Sequence, residues 1–312
     1  IMNFTQIAGV WIGALRIDAG DMQVGDLMAF IQYAMQIMFS MVMLSMMFVL
    51  IPRASASASR INEVLDIEPT IVDEHKKDVT STQKGYLQFD DVTFSYPGAE
   101  KPALRNLSFS AAPGEITAII GGTGSGKSSL LKLISRFYDT DSGSVLVDGI
   151  NVKDIPVAEL RKKIGLVPQK AVLFTGSVKE NILFGNEQAT EGEMIHAAKV
   201  AQAYDFVSEM KEGFDSMISQ GGTNVSGGQK QRLSIARALV RKPEIFLFDD
   251  SFSALDFKTD AKLRAALKEE INEATVLIVA QRVSTVMDAN RIIVLDEGYV
   301  VGVGTHKELM DT

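Results

Sequence analysis

Between Leu27 and Pro52 the sequence runs LMAFIQYAMQIMFSMVMLSMMFVLIP without one charged side chain. Few folds accept such a run. A helix of about 25 residues at 1.5 Å rise spans roughly 37 Å, enough to cross a ~30 Å hydrocarbon core with some tilt. Buried soluble helices and signal h-regions are usually shorter, so the segment reads as a transmembrane helix. A second apolar stretch, Ile1 to Leu15, precedes it across the acidic turn Asp18-Ala-Gly-Asp21-Met-Gln-Val-Gly-Asp26. Arg53 and Arg60 follow the long span, which puts that end in the cytoplasm and the acidic turn outside. The chain opens on Ile within an apolar stretch and is expected to be a piece of a longer protein.

Gln32, Gln36 and Ser40 recur every fourth residue of the span and share one helix face. Polar groups in lipid face a bundle interior or an aqueous cavity, so this face reads either as interhelical hydrogen bonding or as a substrate path. Ala54-Ser-Ala-Ser-Ala-Ser59 holds no Gly or Pro and leads into Arg60-Ile-Asn-Glu-Val-Leu65, so the helix is expected to run on into the cytoplasm and to end before Pro69. The sequence thus divides into a membrane part over residues 1–65, a polar linker over 66–84 and a larger domain over 85–312.

Composition closes off several function classes. With 31 Lys+Arg against 39 Asp+Glu, the net charge of −8 argues against a nucleic-acid binder that neutralises phosphate. The absence of cysteine rules out a disulfide framework, thiolate zinc and a cysteine nucleophile.

After Gly85 short Val- and Ile-rich runs alternate with helical segments, as in an α/β domain. Glu115-Ile-Thr-Ala-Ile-Ile120 leads into Gly121-Gly122-Thr123-Gly124-Ser125-Gly126-Lys127-Ser128, then the helical Ser129-Leu-Leu-Lys-Leu-Ile134. This is G-x-x-x-x-G-K-[ST] between strand and helix, a P-loop. Its glycines let backbone N–H groups wrap nucleotide phosphates, and the helix N-terminus adds partial positive charge. Lys127 is expected to neutralise phosphate oxygens and the Ser128 hydroxyl to ligate Mg²⁺. Much further along, the apolar strand Ile245-Phe-Leu-Phe248 ends in Asp249-Asp250, and Asp249 can stand beside the same Mg²⁺. Between them Val225-Ser226-Gly227-Gly228-Gln229 opens a helix expected to continue through Arg241, a second anion-binding helix end. One nucleotide does not need two, so this end is assigned to a second protomer's nucleotide in a head-to-tail dimer with two composite sites.

In that combination residues 85–312 resemble the nucleotide-binding domain of ABC transporters, with a helical subdomain at about 170–240, and the N-terminal part resembles the last transmembrane hairpin of an exporter. The resemblance rests on the P-loop, the Val225–Gln229 signature, the strand ending in Asp249 and the Ser253-Ala-Leu-Asp256 stretch in the family's order. It implies an ATP- and Mg²⁺-dependent exporter subunit in the plasma membrane, multi-pass, with this domain in the cytoplasm, a second exporter half as partner and a small molecule as cargo. It further implies that Tyr96 stacks on adenine and that Gln169 contacts Mg²⁺ and links the site to the membrane domain. Arg136-Phe-Tyr-Asp139 and Glu180-Asn-Ile-Leu-Phe-Gly185 look like the exporter branch.

Two positions at the reaction centre depart from the family pattern. Asp250 stands where a glutamate normally polarises the attacking water, and Gln281 stands where the family has a switch histidine. A carboxylate set back by ~1 Å can cost ~10²-fold in rate, and glutamine carries no positive charge. Gln220 likewise replaces a consensus glutamate before the signature. The expected reading is the degenerate-site subunit of a heterodimeric exporter, hydrolysing weakly at its own site while Ser226, Gly227 and Gly228 complete the partner's. The alternatives are a homodimer with two slow sites and a non-hydrolytic nucleotide sensor on a membrane protein.

Overall fold

The computed structural model describes residues 2–73, 84–280 and 286–311. Gln281 and most of the expected linker, 74–83, lie outside the described residues. The chain divides into two units, Ile1–Thr70 and Ile71–Thr312.

The first unit is a helical hairpin, α1 (Met2–Asp18) and α2 (Val24–Leu65). At 42 residues α2 is about 63 Å long at 1.5 Å per residue. It is the one helix among the described residues long and apolar enough to cross a membrane. It carries Pro52 within its length and ends at Leu65, as the absence of breakers in the Ala-Ser repeat implies. The two helices meet where glycine permits: a Cβ on Gly13 would sit 2.2 Å from Leu27 Cδ1. Gln6 Nε2 donates to Met35 Sδ at 2.9 Å. Gln32, Gln36 and Ser40 are exposed within this unit, and Ser40 Oγ donates to Gln36 O at 2.9 Å.

The second unit is built on two sheets. An antiparallel sheet pairs β1 (Leu87–Phe94), β2 (Leu104–Ala111), β4 (Ser142–Val147) and β5 (Ile150–Asn151) in the order β2-β1-β4-β5. The second has the order β12-β11-β3-β10-β9-β6, from β3 (Ile116–Gly121), β6 (Ile164–Val167), β9 (Ile245–Asp249), β10 (Thr275–Val279), β11 (Arg291–Asp296) and β12 (Tyr299–Gly304). All its pairings are parallel except β11 with β12. A two-stranded ribbon of β7 (Gly176–Ser177) and β8 (Met217–Ile218) completes the strands.

The parallel strands are mainly apolar on both faces because both are covered, with Thr117 and Thr275 as buried polar exceptions. Phe246, Phe248, Val276 and Ile278 enter one core, with helices α5 (Val178–Leu183), α6 (Glu191–Val200), α7 (Tyr204–Ser208), α8 (Gly227–Leu239) and α9 (Phe257–Glu270). Their alternates Ile245, Leu247, Leu277 and Val279 enter the other, with the antiparallel sheet, α3 (Lys127–Ile134) and α4 (Val157–Lys162). Helix α8 ends at Leu239, two residues short of the expected Arg241, with Val240 as its C-cap. The short α10 (His306–Met310) is the last helix described.

Candidate functional site

Strands β3, β6, β9 and β10 run parallel, so the segments leaving their C-terminal ends converge outside one edge of the sheet, where open α/β sheets bind ligands. Gly121 ends β3, Gln169 follows β6, and Asp249 ends β9 with Asp250 next to it. A cavity of about 760 Å³ lies there, and its polar wall is Gly121–Gly124, Lys127, Ser128, Gln169, Asp249 and Asp250.

The loop leaves the start of α3 without a side-chain cap, an arrangement able to receive an anion. Gly126 is the N-cap of α3, at φ 102°, and no side chain caps the helix. A Cβ there would meet Leu104 Cδ2 at 2.5 Å and Ala103 O at 2.8 Å, so the tight approach to β2 requires glycine. Lys127 Nζ folds over the loop and donates to Gly121 O at 2.9 Å, Gly122 O at 2.6 Å and Ser125 Oγ at 3.3 Å. Ser128 Oγ donates to Asp249 Oδ1 at 2.9 Å, joining positions 121 residues apart. Burial pushes the Asp249 carboxyl up, against the pull of Ser128, Lys132 and Lys127. A carboxylate whose charged form is penalised by desolvation, bonded to a hydroxyl and sharing its cavity with the Gln169 amide, fits a hard cation. Three such donors are too few for an all-protein cage and suit Mg²⁺, which keeps waters and takes phosphate oxygens.

Asp250 is 8% exposed and adopts φ 45°, left-handed backbone that Asp tolerates better than most residues. Its backbone N–H donates to Val279 O at 3.1 Å, and Gln169 Nε2 lies 3.5 Å from its Oδ2. The two side chains expected to address the reacting end are therefore neighbours. Tyr96 lies beside the loop's helix, its hydroxyl 2.9 Å from Ser129 Oγ and its ring edge-on to Phe94 and Tyr138. It does not line the cavity.

Ser226, Gly227, Gly228 and Gln229 are not among the cavity's lining residues either. They open α8 with a reciprocal cap: Gln229 N donates to Ser226 Oγ at 3.3 Å, and Ser226 N donates to Gln229 Oε1 at 2.8 Å. Ser226 and Gly227 are exposed. Sequence reasoning missed the apolar wall of the cavity, formed by residues that include Ile120, Val279, Ile292, Val294 and Leu309, and missed His306, which also lines it. No spacing signal announces it, because β11 and α10 reach the site only through the strand order.

Residues 104–253 match the ABC transporter family. An uncharacterized ABC transporter ATP-binding protein of Mycobacterium bovis is 46% identical over 313 residues, covering 99% of this chain and 53% of the relative. One from Bacillus subtilis is 45% identical over 311 residues with the same coverage, 99% and 53%. A putative multidrug export ATP-binding/permease protein of Staphylococcus aureus is 44% identical over 228 residues, 73% of this chain and 39% of its own length. Among solved structures, a bacterial Atm1-family ABC exporter with ATP bound matches with a TM-score of 0.82 at 32% identity, over 99% of this chain and 54% of that one. The chain spans about half the length of the curated relatives it matches.

Proposed function

The chain belongs to the ABC transporter family, on its exporter side, and from that premise we propose that it is the ATP-binding and membrane-inserted part of a dimeric small-molecule exporter. In this reading its own P-loop binds ATP and hydrolyses it slowly, while its signature serves a partner subunit. The carrying observation is the composition of the cavity. Lys127, Ser128, Gln169, Asp249 and Asp250 share it, and Ser226–Gln229 stand outside it. A complete site then needs a signature from elsewhere.

Each side chain takes a role from its chemistry. The N–H groups of the uncapped α3 start and Lys127 hold the phosphates. Ser128, Asp249 and Gln169 hold Mg²⁺, which when bound neutralises charge on the transferred phosphoryl group. Tyr96 offers a ring to the base. Asp250 orients water through a carboxylate one methylene shorter than glutamate, and Gln281 can donate a hydrogen bond but no charge. Both changes slow turnover without removing a phosphate or metal contact, which favours a heterodimer whose second half carries the faster site. The apolar α2 anchors the subunit in the plasma membrane, with the nucleotide unit on the cytoplasmic side where Arg53 and Arg60 lie.

Restoring glutamate and histidine by the double substitution Asp250→Glu, Gln281→His tests this reading in the assembled transporter. ATP turnover at this chain's site should rise about tenfold or more. Unchanged ATPase together with unaffected transport would sink the degenerate-site idea.

A further inference from the structure

The loop that follows Gln169 is fastened to the signature helix. Gln231, on α8 and 2% exposed, donates Nε2 to Pro168 O at 3.1 Å. Nearly two turns further along α8, Arg237 donates Nη1 to Val172 O at 2.9 Å, Nε to Asn181 O at 2.8 Å and Nη2 to Asn181 Oδ1 at 2.9 Å. Asn181 in turn donates Nδ2 to Phe174 O and accepts from Phe174 N, both at 2.9 Å. The rings of Phe174 and Phe184 flank the guanidinium at 5.1 and 5.7 Å. Gly185 brings the backbone closer still: a Cβ there would lie 2.0 Å from Arg237 O.

Two properties distinguish this clamp from ordinary packing. Its acceptors are the backbone carbonyls of 168, 172 and 181 and one side-chain amide, so it fixes the course of the chain and not only its surface. It also grips at two points along one helix, and two points fix tilt as well as distance. Burial pushes the Arg237 guanidinium down to about 10, so it keeps its charge at neutral pH and the clamp stays closed.

We propose that Gln231 and Arg237 are positioning residues that transmit the state of Gln169 in this chain's cavity to Ser226, Gly227 and Gly228 at the start of the same helix, and so couple the two nucleotide sites of the dimer. The inference rests on the composite-site reading above. A shift of Gln169 drags Pro168 and Val172, and the 13-residue helix α8 carries the motion to its N-terminus as a rigid element.

The test uses the full-length assembled transporter. Gln231→Met keeps side-chain length and removes the donor; Arg237→Lys keeps the cation and removes the fork. Three quantities are read: kcat and KM for ATP, labelled-ATP binding at this chain's own site, and the ATP-induced change in distance between nitroxides at Glu191→Cys on α6 and Lys262→Cys on α9 in a cysteine-free background. Coupling predicts kcat lower by about tenfold or more, KM and own-site binding within about twofold, and the distance change lost. A kcat within about twofold of wild type with the distance change intact overturns it, as does a loss of own-site binding that matches the loss of kcat. If Gln231→Met does not fold, Arg237→Lys decides by the same criteria. Ser226→Arg separates the two ideas. If it lowers kcat while Gln231→Met does not, only the coupling fails; if it leaves kcat unchanged, the composite-site reading itself fails.

Discussion

Two helices of the nucleotide unit begin with glycines at a place suited to an anion, yet they are finished differently. Helix α3 starts at Gly126 in left-handed backbone, with no side-chain cap and with Lys127 folded over the preceding loop. Helix α8 starts at Ser226 with a closed box in which Ser226 and Gln229 satisfy each other's backbone N–H groups. The first end borders the cavity and has no side-chain cap. The second is capped by its own residues, is exposed at Ser226 and Gly227, and stands outside the cavity. A helix leaves its first four N–H groups without intrahelical partners, and what finishes them separates a binding loop from a presented edge.

The chemistry of the box sharpens the contrast. Helices α5, α6 and α10 carry the same box with Glu180, Glu193 and Glu308, whereas α8 carries Gln229. A carboxylate at that position would repel a phosphate; the amide makes the same bond without the charge.

The largest expected effect comes from the open end. Lys127→Ala should weaken ATP binding at this chain's own site by about 100-fold, the worth of lost charged hydrogen bonds, measured with labelled ATP. Next is the glycine contrast. Gly126→Ala must adopt φ 102° against Leu104 and Ala103 and should cost about 1–3 kcal/mol in denaturant unfolding. Gly228→Ala, whose Cβ would meet Ala254 O at 3.2 Å, should cost under about 1 kcal/mol. Equal losses would mean the two ends are not built differently.

Gln229→Glu should preserve the fold and lower ATP turnover at the partner's site several-fold, an effect that shrinks with salt; unchanged turnover would deny the box its electrostatic role. The smallest effect is a titration. The Lys242 bond, followed by those from Thr190, holds the Glu193 carboxyl down at about 2, below its ordinary 4.5. Its contribution is therefore complete above pH 4.5 and is lost as pH falls towards 2. Amide NMR shifts at Thr190 should follow that loss, while those of Ser226, whose box has no titrating member, stay flat. Lys242→Met should move the Glu193 midpoint back towards 4.5.

Much of the candidate site was legible beforehand because its signals are local. The glycines, Lys127 and Ser128 lie within eight consecutive positions between a strand and a helix, and Ser226 with Gln229 is a cap readable over four residues. Asp249 was legible from the apolar strand it ends. Less legible was anything resting on approach between distant segments. The nearness of Gln169 to Asp250, the bond from Tyr96 to Ser129, and the clamp of Gln231 and Arg237 on residues 168–181 leave no periodic trace. A buried Gln and a half-buried Arg on a helix look like surface residues until their partners are known.

The sequence by itself determined what backbone sterics and hydrophobic period decide within a few residues: a membrane-length helix, an α/β unit, two glycine-started helices and a strand ending in carboxylates. Only the tertiary structure decided their arrangement. Strands β3, β6, β9 and β10 are mainly apolar on both faces, so their patterns are nearly interchangeable and do not say which strand lies beside which. The order β11-β3-β10-β9-β6 is set by how the helices and the second sheet pack on both faces, and that order delivers Asp249 to Ser128 across 121 residues of chain.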